Sequence, residues 1–585
     1  MRYRLSAIAV ALSLGPWLTA AEDESSRLTA FFRAYLDEEF RLRPFEATQL
    51  GDHRFDDQLD DLSPEAQARW LELQRRTLRQ LPEQVNYHRL PRPDQIDFEI
   101  FAHHLRRNIW LAENTRRFQE DPRVYNEYIS DSIFLLLTQS TQPKAVTIRN
   151  CVARMARIPA VVAAARVNLR QPPRVFVETA LRQNRGAIAF YQSGIFEVAG
   201  ETPQLSDLAE PARQLVPVLK DYQEFLEKEL LPQATGNWRL GKEKFERKLE
   251  LELDAGLTAD EVLREAEAEA SRVERDMYVI ARQLWGTTFP KRPLPPDDPE
   301  GRSETIRQVL AALARDHGRV EDLIADARAT VANLKRFITQ ADILRLPEPD
   351  RCRVIEMPEF QRGNAMAYLN PAPPLDPKAE SIYAISPPPR EWDARRVTSF
   401  LEEYNRHMLP ILTIHEAYPG HYVQLEYSNR HPSLIRRVLA SGVFAEGWAV
   451  YTEQMMLDQG YGRGDLALRL HQLKFYLRAV LNAILDHHMH CTTMSDDEAY
   501  RLLTQRGFQS DGEATAKIVR AKQSSCQLST YFVGRTAFYR LRQQMQRALG
   551  DRFDLGRYHE AVLDHGTVPV KYLPELVADR LKRPR

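Results

Sequence analysis

A chain of 585 residues is long enough to bury a large core and to hold more than one packed region. Its 80 Lys+Arg balance 81 Asp+Glu with no sustained basic stretch, which argues against nucleic acid or an anionic membrane surface as the main partner. An apolar share of 43% is ordinary for a globular chain in water.

Residues 1–21 read as an export signal. Arg2 and Arg4 make a positive start, residues 5–14 a short apolar run, and Leu18-Thr-Ala-Ala21 offers small residues for cleavage after Ala20 or Ala21. That run is too short to span a bilayer comfortably, and the apolar stretch at 158–165 is shorter still. The expectation is an exported, periplasmic or secreted, soluble protein with no stable membrane insertion after cleavage. No cysteine borders the cleavage site, so no lipid anchor is expected there. Cys151, Cys352, Cys491 and Cys526 are too few for a disulfide scaffold and show no C-x-x-C spacing, leaving buried thiols or a single bridge open.

Most of the chain carries apolar residues at three- and four-residue intervals between charges, so residues 26–42, 64–81, 95–112 and 259–284 are predicted as amphipathic helices. Thr258 followed by Glu261 is a capping box for the last of these. Two proline-rich stretches, 289–302 and 371–389, read as surface loops. Short strands are predicted at 352–356, 365–369 and 381–386. The organisation expected is a helical region at 22–288 and a second at 303–585 holding the sheet, the two forming one cleft-containing unit.

Behind the apolar run from Met408 to Ile414, where Pro410 opens a helix, stands His415-Glu416-Ala-Tyr-Pro-Gly-His421. Two imidazoles and a carboxylate are what a catalytic zinc site requires. On a continuous helix, positions four apart differ by about 40° and share a face, whereas positions six apart differ by about 120°. Pro419 breaks helical bonding and Gly420 permits backbone closed to other residues, so an irregular turn there is expected to return His421 to His415. Downstream, Ala445-Glu446-Gly-Trp-Ala-Val-Tyr-Thr-Glu453 reads as a helix offering Glu446 as the third ligand, with Glu453 its rival.

These residues resemble the H-E-x-x-P-G-H signature of the bacterial domain-of-unknown-function family 885, itself regarded as related to the gluzincin metallopeptidases, angiotensin-converting enzyme and carboxypeptidase Taq among them. Glu446-Gly-Trp-Ala is similar to the family's E-G-W-A element. Arg478, Asp486 and His490 match its R…D-x-G-x-H pattern, with His488 where glycine is usual. Arg520, Gln527, Tyr531 and Gly534 match a further element in which Ala521, Ser525 and Cys526 replace the usual Tyr, Pro and Gly. The ending His559-Glu-Ala-Val-Leu-Asp-His-Gly-Thr-Val-Pro569 resembles the family's C-terminal helix and turn.

The resemblance implies a mainly α, large helical gluzincin-like peptidase fold with a deep cleft and a small antiparallel β-sheet beside the active site. It implies one Zn2+ per chain on His415, His421 and Glu446, with Glu416 as the base that activates water. Tyr531, or secondarily His490, would donate to the oxyanion. Asp486 and Glu453 would support these groups from behind, Asp486 and His490 being one helical turn apart. Arg520, with Gln527 nearby, would bind a substrate carboxylate or else pair with Asp486; Tyr383 would line the cleft or serve as a plain sheet aromatic. The expected activity is hydrolysis of peptide bonds in short peptides. Its competitors are a metal-dependent amidase or esterase on a non-peptide substrate, and a non-catalytic periplasmic binding protein with a degenerate metal site.

Overall fold

The amphipathic stretches become helices whose ends follow from local chemistry. The structure, a computed structural model, describes residues 15–357 and 366–582, with side chains from residue 24 onward, so most of the expected export signal lies outside the described residues. Helices α1 (Gly15–Leu42), α2 (Pro64–Gln84) and α3 (Arg92–Asn114) occupy the first three predicted segments. Ser63 accepts the N–H of Ala66 and Pro64 sits in the first turn, which fixes where α2 begins. After α4 (Lys242–Leu253), helix α5 (Ala259–Thr288) opens on the predicted capping box: Thr258 Oγ1 accepts from Glu261 N–H at 3.3 Å and the Glu261 carboxylate accepts from Thr258 N–H at 2.9 Å. The stretch 289–302 is not loop throughout. Asp298 accepts the N–H of Gly301 at 2.8 Å and Pro299 takes the first helical position, so α6 (Pro299–Ala314) begins inside it.

Helix α7 (Leu323–Gln340) leads into the three strands, β1 (Cys352–Glu356), β2 (Ala367–Asn370) and β3 (Ser381–Ile385). The sheet is mixed and not antiparallel: its order is β1-β3-β2, with β1 parallel and β2 antiparallel to β3. Burial explains the order. Strand β3, Ser-Ile-Tyr-Ala-Ile, is buried along nearly its whole length and takes the centre, while β1 carries Arg353 and Glu356 and stays at an edge.

The site is built by the remaining helices: α8 (Met408–Glu416), α9 (His421–Asn429), α10 (Gly442–Asp458), α11 (Leu466–Cys491), α12 (Asp511–Gln523) and α13 (Thr530–Leu549). One continuous core joins Phe32 of α1, Phe101 of α3 and Val273 of α5 to Ile411 of α8, Trp448 of α10, Leu477 of α11 and Phe538 of α13. N-terminal helices therefore wall the same core as the helices that carry the candidate ligands. Residues between 123 and 230 pack around a second core that includes Tyr125, Ile133, Tyr191 and Tyr222. All four cysteines are free thiols, Cys151 and Cys526 being buried. No helix among the described residues is long and apolar enough to cross a membrane.

Candidate metal centre

Helix α8 is apolar all round and lies in the core, so His415 near its end is carried into a buried position. The helix stops at Glu416 because the chain turns back over its last carbonyls. Ala417 and Tyr418 both donate to Thr413 O, at 3.0 and 3.1 Å, and Gly420 donates to Ile414 O at 2.9 Å. The Tyr418–Pro419 peptide is cis. A Cβ on Gly420 would stand 1.9 Å from His415 O and 2.2 Å from Ile414 O, so no other residue permits this approach. The turn starts α9 at His421 and sets the two imidazoles edge to face, with centroids 4.8 Å apart. The predicted return of His421 to His415 is what the backbone does.

Glu446 arrives from α10. Its Oε2 lies 3.5 Å from His421 Nε2 and 3.8 Å from His415 Nε2, and one ligand atom from each of the three residues falls within 4.8 Å of the others. The neighbouring residues explain how α10 gets so close. A Cβ on Gly447 would stand 2.3 Å from Gly534 Cα, so α10 and α13 cross with backbones in contact at a glycine pair. The Trp448 indole donates to Pro419 O at 2.9 Å and ties α10 to the turn between the histidines. Glu453, two turns beyond Glu446, is fully buried and its Oε1 is 2.7 Å from His415 Nδ1. A carboxylate there accepts from Nδ1–H and leaves Nε2 as the free lone pair facing Glu446. Glu453 is thus placed behind His415 and is not a rival for the position Glu446 holds.

The electrostatics follow from burial. His415 is pushed down to about 3, by loss of water and then by the neighbouring His421, which keeps its imidazole neutral and able to ligate. Burial acts against Glu446 as an anion, but His421, His415 and the Tyr531 hydroxyl hold its carboxyl below the usual range. Glu416 is pushed up to about 7, chiefly by burial, with Glu446 adding to the effect. Its Oε2 accepts from the N–H of Leu369 at 3.0 Å, so edge strand β2 touches it directly. Two imidazole nitrogens, one carboxylate oxygen and a second carboxylate alongside suit a borderline-soft divalent ion such as zinc.

The other predicted residues divide. Tyr531, at the start of α13, lies near enough to Glu446 to help hold its carboxyl low, and accepts from Arg520 Nη2 at 3.1 Å and Gln527 Nε2 at 3.2 Å; Gln527 in turn accepts from Arg520 at 2.7 Å. These three do meet at the site. His490 does not serve as an oxyanion donor, because its Nε2 is shared between Ala521 O and Ser524 O at 3.0 Å each and its ring stacks on Phe245. Asp486 pairs neither with His490 nor with Arg520. It accepts from Cys526 N–H at 3.0 Å and Ser529 Oγ at 2.9 Å, and burial pushes its carboxyl up to about 6. That contact braces Cys526 at φ 70°, a left-handed position where the resembled family has glycine. Tyr383 does not line the cleft: it is fully buried beneath α8, its hydroxyl 3.0 Å from Thr413 Oγ1. Leu369, Trp448 and Gly534 escaped prediction as parts of the site, for their roles arise from contacts between distant segments.

Glu446 also borders a cavity of about 500 Å³. Gln527 and Thr530 share its wall with Tyr35 and Phe40 of α1, His104 of α3 and Leu251 of α4. The centre therefore opens towards the N-terminal helices.

A family model described as "Bacterial protein of unknown function (DUF885)" matches residues 44–577. The chain belongs to the DUF885 family. Among solved structures, one titled "putative lipoprotein of unknown function" from Shewanella oneidensis is 30% identical, with a TM-score of 0.79 over 94% of this chain and 99% of its own. A second, titled "putative lipoprotein" from Colwellia psychrerythraea, is 18% identical, with a TM-score of 0.77 over 96% of this chain and 99% of its own, a likeness of fold. Comparison with curated proteins gives no match.

Proposed function

We propose that this DUF885 member is a gluzincin-like, zinc-dependent hydrolase that cleaves peptide bonds of short peptides in an exported compartment. The observation that carries this reading is the convergence of His415, His421 and Glu446 within 4.8 Å, with Glu416 next to His415 at the same helix end. Zinc held by these three residues would polarise a water and the scissile carbonyl. Glu416, poised near neutrality, accepts the proton of the attacking water and returns it to the leaving amine. The Tyr531 hydroxyl, beside Glu446, donates to the oxyanion that develops on the substrate. Glu453 keeps His415 in the tautomer that presents Nε2. Leu369 N–H belongs to an edge strand, so substrate backbone laid along β2 exchanges with the Glu416 carboxylate for that donor.

The test is turnover by the zinc-loaded protein on dipeptides and tripeptides against acylated amino acids and simple esters. Preference for peptides is the expected result; hydrolysis confined to the non-peptide compounds would assign the same residues to an amidase or esterase.

A further inference from the structure

Glu453 is fully buried, and among the described residues its side chain makes one hydrogen bond, from His415 Nδ1 to Oε1. Its second oxygen, Oε2, is buried without a partner. A buried carboxylate so sparsely bonded is costly and calls for a positive charge nearby. Burial works against its charge, and so do the neighbouring Glu416 and Glu446; Arg535 leads the cations that favour it, ahead of Arg478. Arg478 is committed to Glu513 at 2.6 Å. Arg535 meets one carboxylate, Glu269, at 3.3 Å, but that same oxygen takes shorter bonds from Arg272 and from the Tyr476 hydroxyl, at 2.7 Å each. Of the two cations, Arg535 is the one whose charge is left to Glu453.

The fold fixes Arg535 in place. It follows Gly534, where α13 crosses α10 with backbones in contact. Gln454, two turns beyond Gly447 on α10 and next to Glu453 in sequence, accepts from Arg535 Nη2 at 2.6 Å. The guanidinium lies over the rings of Tyr476 and Tyr539, 4.2 Å from each centroid, and the residue is 8% exposed. Its Nε, like Glu453 Oε2, is buried without a partner. A donor and an acceptor on adjoining helices are thus both unsatisfied at the back of the candidate ligand set.

We propose that Arg535 is a positioning residue of the metal centre: its charge, fixed by Gln454 and two tyrosine rings, holds the Glu453 carboxylate on His415 Nδ1 and so sets which nitrogen His415 offers to the metal. This rests on the reading of His415 as a ligand and carries its support one residue further out, from His415 through Glu453 to Arg535. A neutral side chain at 535 would leave Glu453 facing Glu416 and Glu446 with only the engaged Arg478 to offset them, and its hold on His415 would weaken.

The experiment is a double-mutant cycle in the full chain, Arg535→Met against Glu453→Gln, read in two ways. In zinc competition titrations, Arg535→Met should weaken binding by about tenfold in the parent but by less than about twofold beside Glu453→Gln, whose amide needs no counter-charge. Arg535→Lys keeps a cation over the same rings and should stay within about threefold of the parent. Denaturant unfolding of the metal-free proteins gives the second reading. There the double variant should lose at least about fivefold less in folding equilibrium constant than the product of the two single losses. Arg535→Gln, also neutral, repeats the cycle if the methionine variant does not fold. A brace acting only through Gln454 and the tyrosine rings predicts the opposite on each count. Equal weakening of zinc binding in both backgrounds, a lysine no better than methionine, or independent losses in the metal-free cycle therefore overturns the proposal. Failure of the wild type to bind zinc, with the metal-free coupling intact, would instead overturn the reading of the metal centre.

Discussion

The indole N–H of Trp448 donates to the carbonyl of Pro419 at 2.9 Å, which fastens the helix carrying Glu446 to the turn that brings His421 back to His415. The bond links the two sequence elements, 25 residues apart from His421 to Glu446, that together make the candidate centre. Trp448→Phe keeps most of the buried ring and loses the donor. It should lower stability by about 1–3 kcal/mol, the cost of an unsatisfied buried acceptor plus a small void, and loosen the ligand set. Denaturant unfolding gives the first effect and a zinc competition titration the second.

Glu453 holds His415 Nδ1 at 2.7 Å from a fully buried position. Glu453→Gln preserves volume but replaces a carboxylate by an amide that fixes the tautomer poorly. Zinc affinity should fall by about 10–100-fold, the usual penalty for losing such a partner, with the fold retained by circular dichroism.

The glycine pair makes a sharper steric prediction. Gly534→Ala would set a Cβ 2.0 Å from Val443 O and 2.6 Å from Gly447 Cα, both backbone atoms that cannot yield without parting α10 from α13. A loss of about 3 kcal/mol or more is expected, together with lost zinc binding, because Glu446 moves with its helix. Gly186→Ala, where nothing lies within 4 Å, should be neutral or stabilising by about 0.5–1 kcal/mol. Equal effects of the two substitutions on thermal unfolding would contradict the close crossing.

A pH dependence follows from a histidine outside the ligand set. His53 bridges Asp56 at 2.7 Å and Asp376 at 3.0 Å, joining an N-terminal turn to the segment between β2 and β3. The bond to Asp56, opposed by burial and helped by Asp376, raises its imidazole from 6.5 to about 9. A raised folded pKa means the contribution is full below 6.5 and is lost as pH climbs through about 9. The site is half-buried, so about 1–2 kcal/mol is expected after allowance for solvent screening. Wild type should therefore lose stability relative to His53→Gln between about pH 6.5 and 9, and parallel unfolding curves across that window would count against the bridge.

Features read from neighbours in sequence were the legible ones. The capping box of Thr258 and Glu261, the starts of α2 and α5, and the residues of β1 and β3 follow from spacing alone. Pro419 and Gly420 likewise announced an irregular turn between the histidines. What sequence could not convey was pairing across the fold. The sheet is mixed because β3 enters between β1 and β2, an outcome set by burial and not by strand propensity. His490 sits on a promising helical spacing with Asp486, yet each is claimed by a different part of the segment 521–529. Tyr383 is sequestered under α8, its hydroxyl beside Thr413.

Metal content of protein purified without chelator tests the central claim most directly. Wild type and Glu416→Gln should each carry about one equivalent of zinc, while His415→Ala, His421→Ala and Glu446→Ala carry less than about a tenth, and Glu416→Gln should show no peptide turnover. Wild type with less than about a tenth of an equivalent after zinc loading, or full activity in Glu416→Gln, would contradict the account.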